Sequence, residues 1–300
     1  MPHFADSLIA RTRELGHPLC VGLDPHISRI PPLFHQGTMA LDDPATADAT
    51  AQFFRAYLPR LQGRVAVVKP QSAFFEQLGW RGVRILAEVC EQARDLGILV
   101  LMDAKRGDIG STSAAYAQYL ANSGNWAVDA LTVNPYLGTD TLEPFVDVAA
   151  ENDAGIFVLV KTSNPGSGDY QDKSVDGDPL YSLVARSLAP LVERLRGPAT
   201  GWSALDVVVG ATYPEQAATV REALPHAIFL IPGYGAQGGS AADAVVSFVP
   251  GPCGLEGGIV NSSRGVLFPA GSDTANTGSW EQAVDNALDQ AIDELGQAVR

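Results

Sequence analysis

Residues 98–108 read ILVLMDAKRGD: an apolar run, Ile98 to Met102, that ends on Asp103, Ala104, Lys105, Arg106, Gly107 and Asp108. A near-continuous apolar run of this length suits a strand covered on both faces, as in parallel sheets. The pattern recurs along the chain. With Ile98–Asp103, the runs Leu19–Leu23, Val65–Lys69, Ala130–Asn134, Gly155–Val160, Asp206–Gly210, Ala227–Ile231 and Gly258–Asn261 give eight candidate strands. Apolar residues at helical spacing fill the segments between and after them: Ala45–Gln62, Trp80–Leu96, Thr112–Ser123, Thr141–Glu151, Leu180–Arg196, Tyr213–Leu224 and Trp280–Val299. Eight strands alternating with helices predict an α/β fold, a closed (β/α)8 TIM barrel of the phosphate-binding type. An open doubly wound sheet is the alternative, and the lack of a GxGxxG after the first run counts against it.

Composition agrees with one large domain over residues 1–300. Apolar residues make up 46% and charged residues 18%, which is ample material for a core of that size. Glycine and proline are spread through the chain, as short loops require. Two polar stretches fall outside the repeat: Ser163–Asp178, read as an extended loop after the fifth strand, and Gly271–Gly278, read as a link into the last helix. The formal net charge is −14, so nucleic acid and anionic membrane are not expected partners. An anionic substrate therefore needs a local cluster of Lys, Arg and backbone N–H groups. Cys20, Cys90 and Cys253 form no CxxC pair, and the five histidines show no metal-ligand spacing. No metal and no disulfide framework are expected. The first residues lack an apolar signal core, and no window is long enough to span a membrane, so a soluble cytoplasmic protein is expected.

In such barrels the chemistry lies at the C-terminal ends of the strands. Asp103 and Lys105 are two apart, so in an extended chain both point to one face. Lys69 ends the neighbouring second strand, and Asp108 lies just beyond the third. Together they form an alternating Lys–Asp–Lys–Asp set whose opposite charges keep one another ionised. A lysine held protonated there is a poor Schiff-base nucleophile and a suitable proton donor to a developing carbanion. The competing reading is an ordinary ion-pair network at a strand end. The seventh strand runs into Pro232-Gly233-Tyr234-Gly235-Ala236-Gln237-Gly238-Gly239, a turn whose glycines let backbone N–H groups approach an anion. Arg264, after the eighth strand, adds a planar donor fork where phosphate binds in this fold. Asp24 either accepts from sugar hydroxyls or simply forms a turn before Pro25. Ser163 and Asn164 either read the edge of a polar ring or belong to ordinary loop chemistry.

The segments VGLDPH (21–26), VVKPQSAFFE (67–76), DAKRGDIGSTSAAYA (103–117), VNPYLG (133–138), KTSNPGS (161–167), IPGYGAQGG (231–239) and NSSRGVLFP (261–269) resemble the orotidine 5'-phosphate decarboxylase family, in its longer-chain bacterial class. They span nearly the whole chain in the family's order. The resemblance implies loss of carbon dioxide from orotidine 5'-phosphate to give UMP, with no cofactor and no metal. It matches Lys69, Asp103, Lys105 and Asp108 to the catalytic tetrad, with Lys105 the proton donor. It matches Asp24 to a ribose contact, Ser163 to a pyrimidine contact, and Gln237 and Arg264 to the phosphate, which Gly233 and Gly235 would flank. It further implies a homodimer in which Asp108 and Thr112 act in the partner's site. Two other functions stay open: a magnesium-dependent sugar-phosphate enzyme on the same barrel, and a nucleotide-binding barrel without catalysis.

Overall fold

The computed structural model describes residues 2–122, 126, 128–235 and 239–300. Eight parallel strands close a barrel: Leu19–Leu23, Val67–Pro70, Leu99–Arg106, Ala130–Val133, Gly155–Lys161, Leu205–Val209, Phe229–Ile231 and Gly258–Ser262. Each pairs with its sequence neighbours. The first strand closes the ring by pairing Cys20 with Val67 of the second and Leu19 with Val260 of the eighth. The barrel expectation is met, and closure leaves no exposed sheet edge. Strand limits shift by a few residues from the sequence reading. The third is the most instructive, because it continues past Asp103 to Arg106 with a register break between Met102 and Arg106.

Helices lie between the strands, and their ends follow local chemistry. Asp43 caps Pro44–Tyr57 by accepting from the Ala45 N–H, with Pro44 fixing the first turn. The final helix begins at Thr277, not Trp280, because the Asn276 side chain accepts from the Ser279 N–H. The helix expected over Thr112–Ser123 spans Gly110–Ala117 and tightens into a 3-10 turn, Gln118–Leu120; Ser123 lies outside the described residues. Among the described residues no helix is long and apolar enough to cross a membrane.

Several features were absent from the sequence reading. A helix, Phe4–Leu15, buries Phe4, Leu8 and Ile9, and Phe4 meets Phe157 edge-on at 6.1 Å. A Cβ on Gly155 would lie 2.3 Å from the Phe4 ring, so the fifth strand starts on glycine to admit it. A two-stranded hairpin pairs Val249–Gly251 with Gly254–Glu256. The supposed loop Ser163–Asp178 is folded: it holds a 3-10 turn, Pro165–Asp169, and a second small hairpin, Ser174–Val175 with Asp178–Pro179.

The base of the last two strands is held by Arg221, on the helix Pro214–Ala223. Its buried guanidinium donates to the carbonyls of Leu224, Pro225, Ala227, Ser247 and Gly257 and lies 3.9 Å from the Phe229 ring centroid. Nη1 meets three of these carbonyls and Nε and Nη2 one each, so every nitrogen of the buried guanidinium is engaged.

Candidate active site

The C-terminal end of the barrel gathers Lys69, Asp103 and Lys105 around one carboxylate. Lys69 Nζ lies 2.6 Å from Asp103 Oδ2 and Lys105 Nζ 2.5 Å from Oδ1. Gln71 Nε2 donates to Oδ2 at 3.0 Å, and the Thr132 hydroxyl donates to Oδ1 at 3.0 Å. Both oxygens thus take two donors each, which saturates the carboxylate. Gln71 and Thr132 were missed in the sequence, where one sits in a turn and the other in an apolar run. Only knowledge of which strands neighbour the third would have singled them out.

Asp103 and Lys105 do share a site, but not by regular strand alternation. The third strand breaks register there, and Lys105 adopts a left-handed backbone, φ +47°. That conformation is uncommon for a residue with a Cβ and costs on the order of 1–3 kcal/mol. It turns the lysine back so that its ammonium returns to the carboxylate two residues earlier.

The electrostatics are unequal. Asp103 and Lys69 are 5% and 4% exposed, whereas the Lys105 side chain is 44% exposed. Burial alone would raise the Asp103 pKa, but the Lys69 and Lys105 ammoniums outweigh it and hold the carboxyl below the usual range. Burial opposes the charge on Lys69, and the Asp103 and Asp24 carboxylates overcome it, so its pKa rises. Lys69 is a buried counter-charge. Lys105 has one N–H engaged by Asp103 and the rest of its ammonium turned to the mouth.

The other candidates take different places. Asp24 follows the first strand, and its buried Oδ1 has no hydrogen-bond partner among the described residues, an acceptor awaiting a donor. Ser163 packs against the end of the sixth strand, so closely that a Cβ on Gly210 would lie 2.8 Å from its Cα. Gly233 and Gly235 both have positive φ, +103° and +70°, which side-chain-bearing residues rarely adopt. The Gly235 N–H donates to the Gly239 carbonyl at 2.9 Å, which closes the turn; Gln237 lies outside the described residues. Arg264 is exposed at the start of the short helix Arg264–Leu267 and makes no ion pair among the described residues. Asp108 does not join the Lys–Asp–Lys cluster. Its Oδ1 accepts from the Ile109 N–H at 2.8 Å, and among the described residues it forms no ion pair within its own chain. Thr112 is exposed on the helix behind it.

A closed (β/α)8 barrel with two lysines on one saturated carboxylate, and with a glycine turn and an exposed arginine across its mouth, defines a class: barrel enzymes acting on small anionic substrates. Residues 17–275 match the family model described as orotidine 5'-phosphate decarboxylase / HUMPS family, and the chain belongs to that family. It is 43% identical to the orotidine 5'-phosphate decarboxylase of Rhodopirellula baltica, over 98% of this chain and 99% of that one. The Deinococcus radiodurans enzyme of the same name is 41% identical, over 97% and 98%. The structure of Leishmania donovani OMP decarboxylase superimposes with a TM-score of 0.73 at 31% identity, covering 99% of this chain and 98% of that one.

Proposed function

We propose that this protein is a carboxy-lyase that converts orotidine 5'-phosphate to UMP and carbon dioxide, the closing step of pyrimidine nucleotide synthesis, in the cytoplasm and without a cofactor. The observation that carries the reading is the asymmetry of the two lysines on Asp103: one buried, one opening to the mouth. Loss of carbon dioxide breaks the bond between the ring and its carboxylate and leaves the electron pair on the ring carbon. An ammonium held beside that carbon stabilises the charge as it develops and then gives it a proton. Lys105 is the one of the pair placed to do so, and it regains its proton from solvent. Asp103 holds the Lys105 ammonium in place through its Oδ1. The two ammoniums beside it offset its repulsion of a substrate carboxylate.

The rest of the mouth suits the remainder of the nucleotide. Asp24 offers its unpartnered oxygen to the ribose hydroxyls, Ser163 faces the base, and the turn around Gly233, Gly235 and Gln237 joins Arg264 on the phosphate. Binding energy from the phosphate, remote from the broken bond, organises the reacting end. Asp108 and Thr112 serve the site of a second subunit in a homodimer. In support, Asp108 stands apart from its own cluster, next to Ile109, whose side chain is exposed, 64% accessible.

The test is direct: purified protein with orotidine 5'-phosphate, assayed for UMP with and without EDTA. Equal UMP formation in both is expected. Strict metal dependence would favour a magnesium-dependent sugar-phosphate enzyme, and tight UMP binding with no carbon dioxide released would favour a non-catalytic binder.

A further inference from the structure

We infer that Thr132 is a positioning residue that sets the geometry of both Asp103 and Lys105 through a single hydroxyl. A threonine hydroxyl has one proton and two lone pairs. The Ala104 N–H and the Lys105 N–H donate to Thr132 Oγ at 3.0 and 2.9 Å. With both lone pairs taken, the proton has one destination, Asp103 Oδ1 at 3.0 Å. Asp103 Oδ1 is also the oxygen that receives Lys105 Nζ. The hydroxyl therefore holds the lysine at both ends: its backbone directly, and its ammonium through the carboxylate.

The arrangement answers a need created by the sequence. At residues 103–105 the third strand leaves its ladder, so the amides of Ala104 and Lys105 lose strand partners while the Lys105 backbone is left-handed. Unpaired amides at a half-buried strand end are costly, and a strained φ persists only where its surroundings enforce it. Thr132 is fully buried on the fourth strand, which the third strand flanks, and supplies both corrections. Valine fills the same volume but accepts nothing.

This inference rests on the decarboxylase reading, and its test separates the two. In Thr132→Val, kcat is expected to fall on the order of 100-fold through misplacement of Lys105, with KM and UMP affinity nearly unchanged. Thr132→Ser, which keeps the hydroxyl, should return kcat to within about tenfold of wild type. Hydrogen exchange at the Ala104 and Lys105 amides, followed by NMR, should accelerate in Thr132→Val and not in Thr132→Ser. Thr132→Ala carries the same expectations if the valine protein does not fold. A valine protein with wild-type kcat overturns the inference, as does serine failing as badly as valine, or a loss confined to KM. If wild type makes no UMP, the decarboxylase reading fails, while unchanged amide exchange in the valine protein would still overturn the geometry claimed for Thr132.

Discussion

Lys105 combines a left-handed backbone with a charge that opens to the barrel mouth. Replacing it by alanine should lower kcat by about 10³-fold or more, because on the proposed mechanism it removes both the charge stabilisation and the proton donor. The circular dichroism spectrum should stay native, since the side chain is only half-buried. A variant retaining most of the wild-type rate would refute Lys105 as donor. Asp103 makes a pH-dependent prediction. Its folded-state pKa is depressed, so the folded protein binds that proton less readily than the unfolded chain. The stabilisation is complete above about pH 5 and is lost as pH falls below about 4 toward the folded value. Urea unfolding should therefore show Asp103→Asn less stable than wild type by about 3 kcal/mol at pH 7. The gap should narrow by pH 3, and a constant gap would sink the assignment. Lys69, Asp103 and Lys105 were legible in sequence because charges at the end of an apolar run are conspicuous. Thr132 was not: one hydroxyl in Ala130-Leu131-Thr132-Val133 looks like ordinary strand chemistry until its neighbour is known.

Among the elements, the segment after the fifth strand departs most from its reading as a loop. Lys161 is fully buried. Its ammonium lies 2.7 Å from Asp172 Oδ1, donates to Ser167 Oγ at 3.2 Å and sits 4.3 Å from the Tyr213 ring centroid. Gln171 closes the same strap onto Thr162, accepting from its N–H and donating to its hydroxyl, each at 2.9 Å. Asp172→Asn would leave a buried ammonium without a counter-charge. Limited proteolysis within residues 163–178 should then speed up by about tenfold, while the barrel's far-UV spectrum is unchanged. A double substitution, Lys161→Met with Asp172→Leu, should recover much of the protection. If neither variant alters cleavage, the clamp is not what orders the strap. The eight strands were readable because two-sided burial writes itself as an apolar run. The strap was not, since its order comes from a lysine at the end of one element meeting polar residues further along the chain. The helix Phe4–Leu15 was overlooked for a related reason: its four buried apolar positions, Phe4, Ala5, Leu8 and Ile9, acquire meaning only against the barrel base.

For the whole molecule, the charge balance and the division of labour between the barrel's ends matter most. A chain of net charge −14 repels an anionic substrate overall, and the mouth offsets this locally with exposed Lys105 and Arg264. If the site is shared between subunits, Lys105→Ala and Asp108→Ala proteins, each inactive alone, should regain activity on mixing. One of the two sites in a mixed dimer is then intact, so about a quarter of wild-type activity is expected at random exchange of subunits. No recovery in demonstrated heterodimers would count against sharing. At the opposite end of the barrel, Arg221 has a kinetic consequence. Its five carbonyl partners come from three separate stretches, 224–227, Ser247 and Gly257, and they converge only after the helix Pro214–Ala223 has docked. Such a knot makes the last quarter of the ring open all at once or not at all. Arg221→Lys keeps the charge but offers three donors in place of five. Stopped-flow unfolding should be faster by about tenfold, with kcat at the distant mouth unchanged. The lifetime of the folded barrel and the speed of its reaction are thus set at opposite ends of the same strands, and each can change without the other.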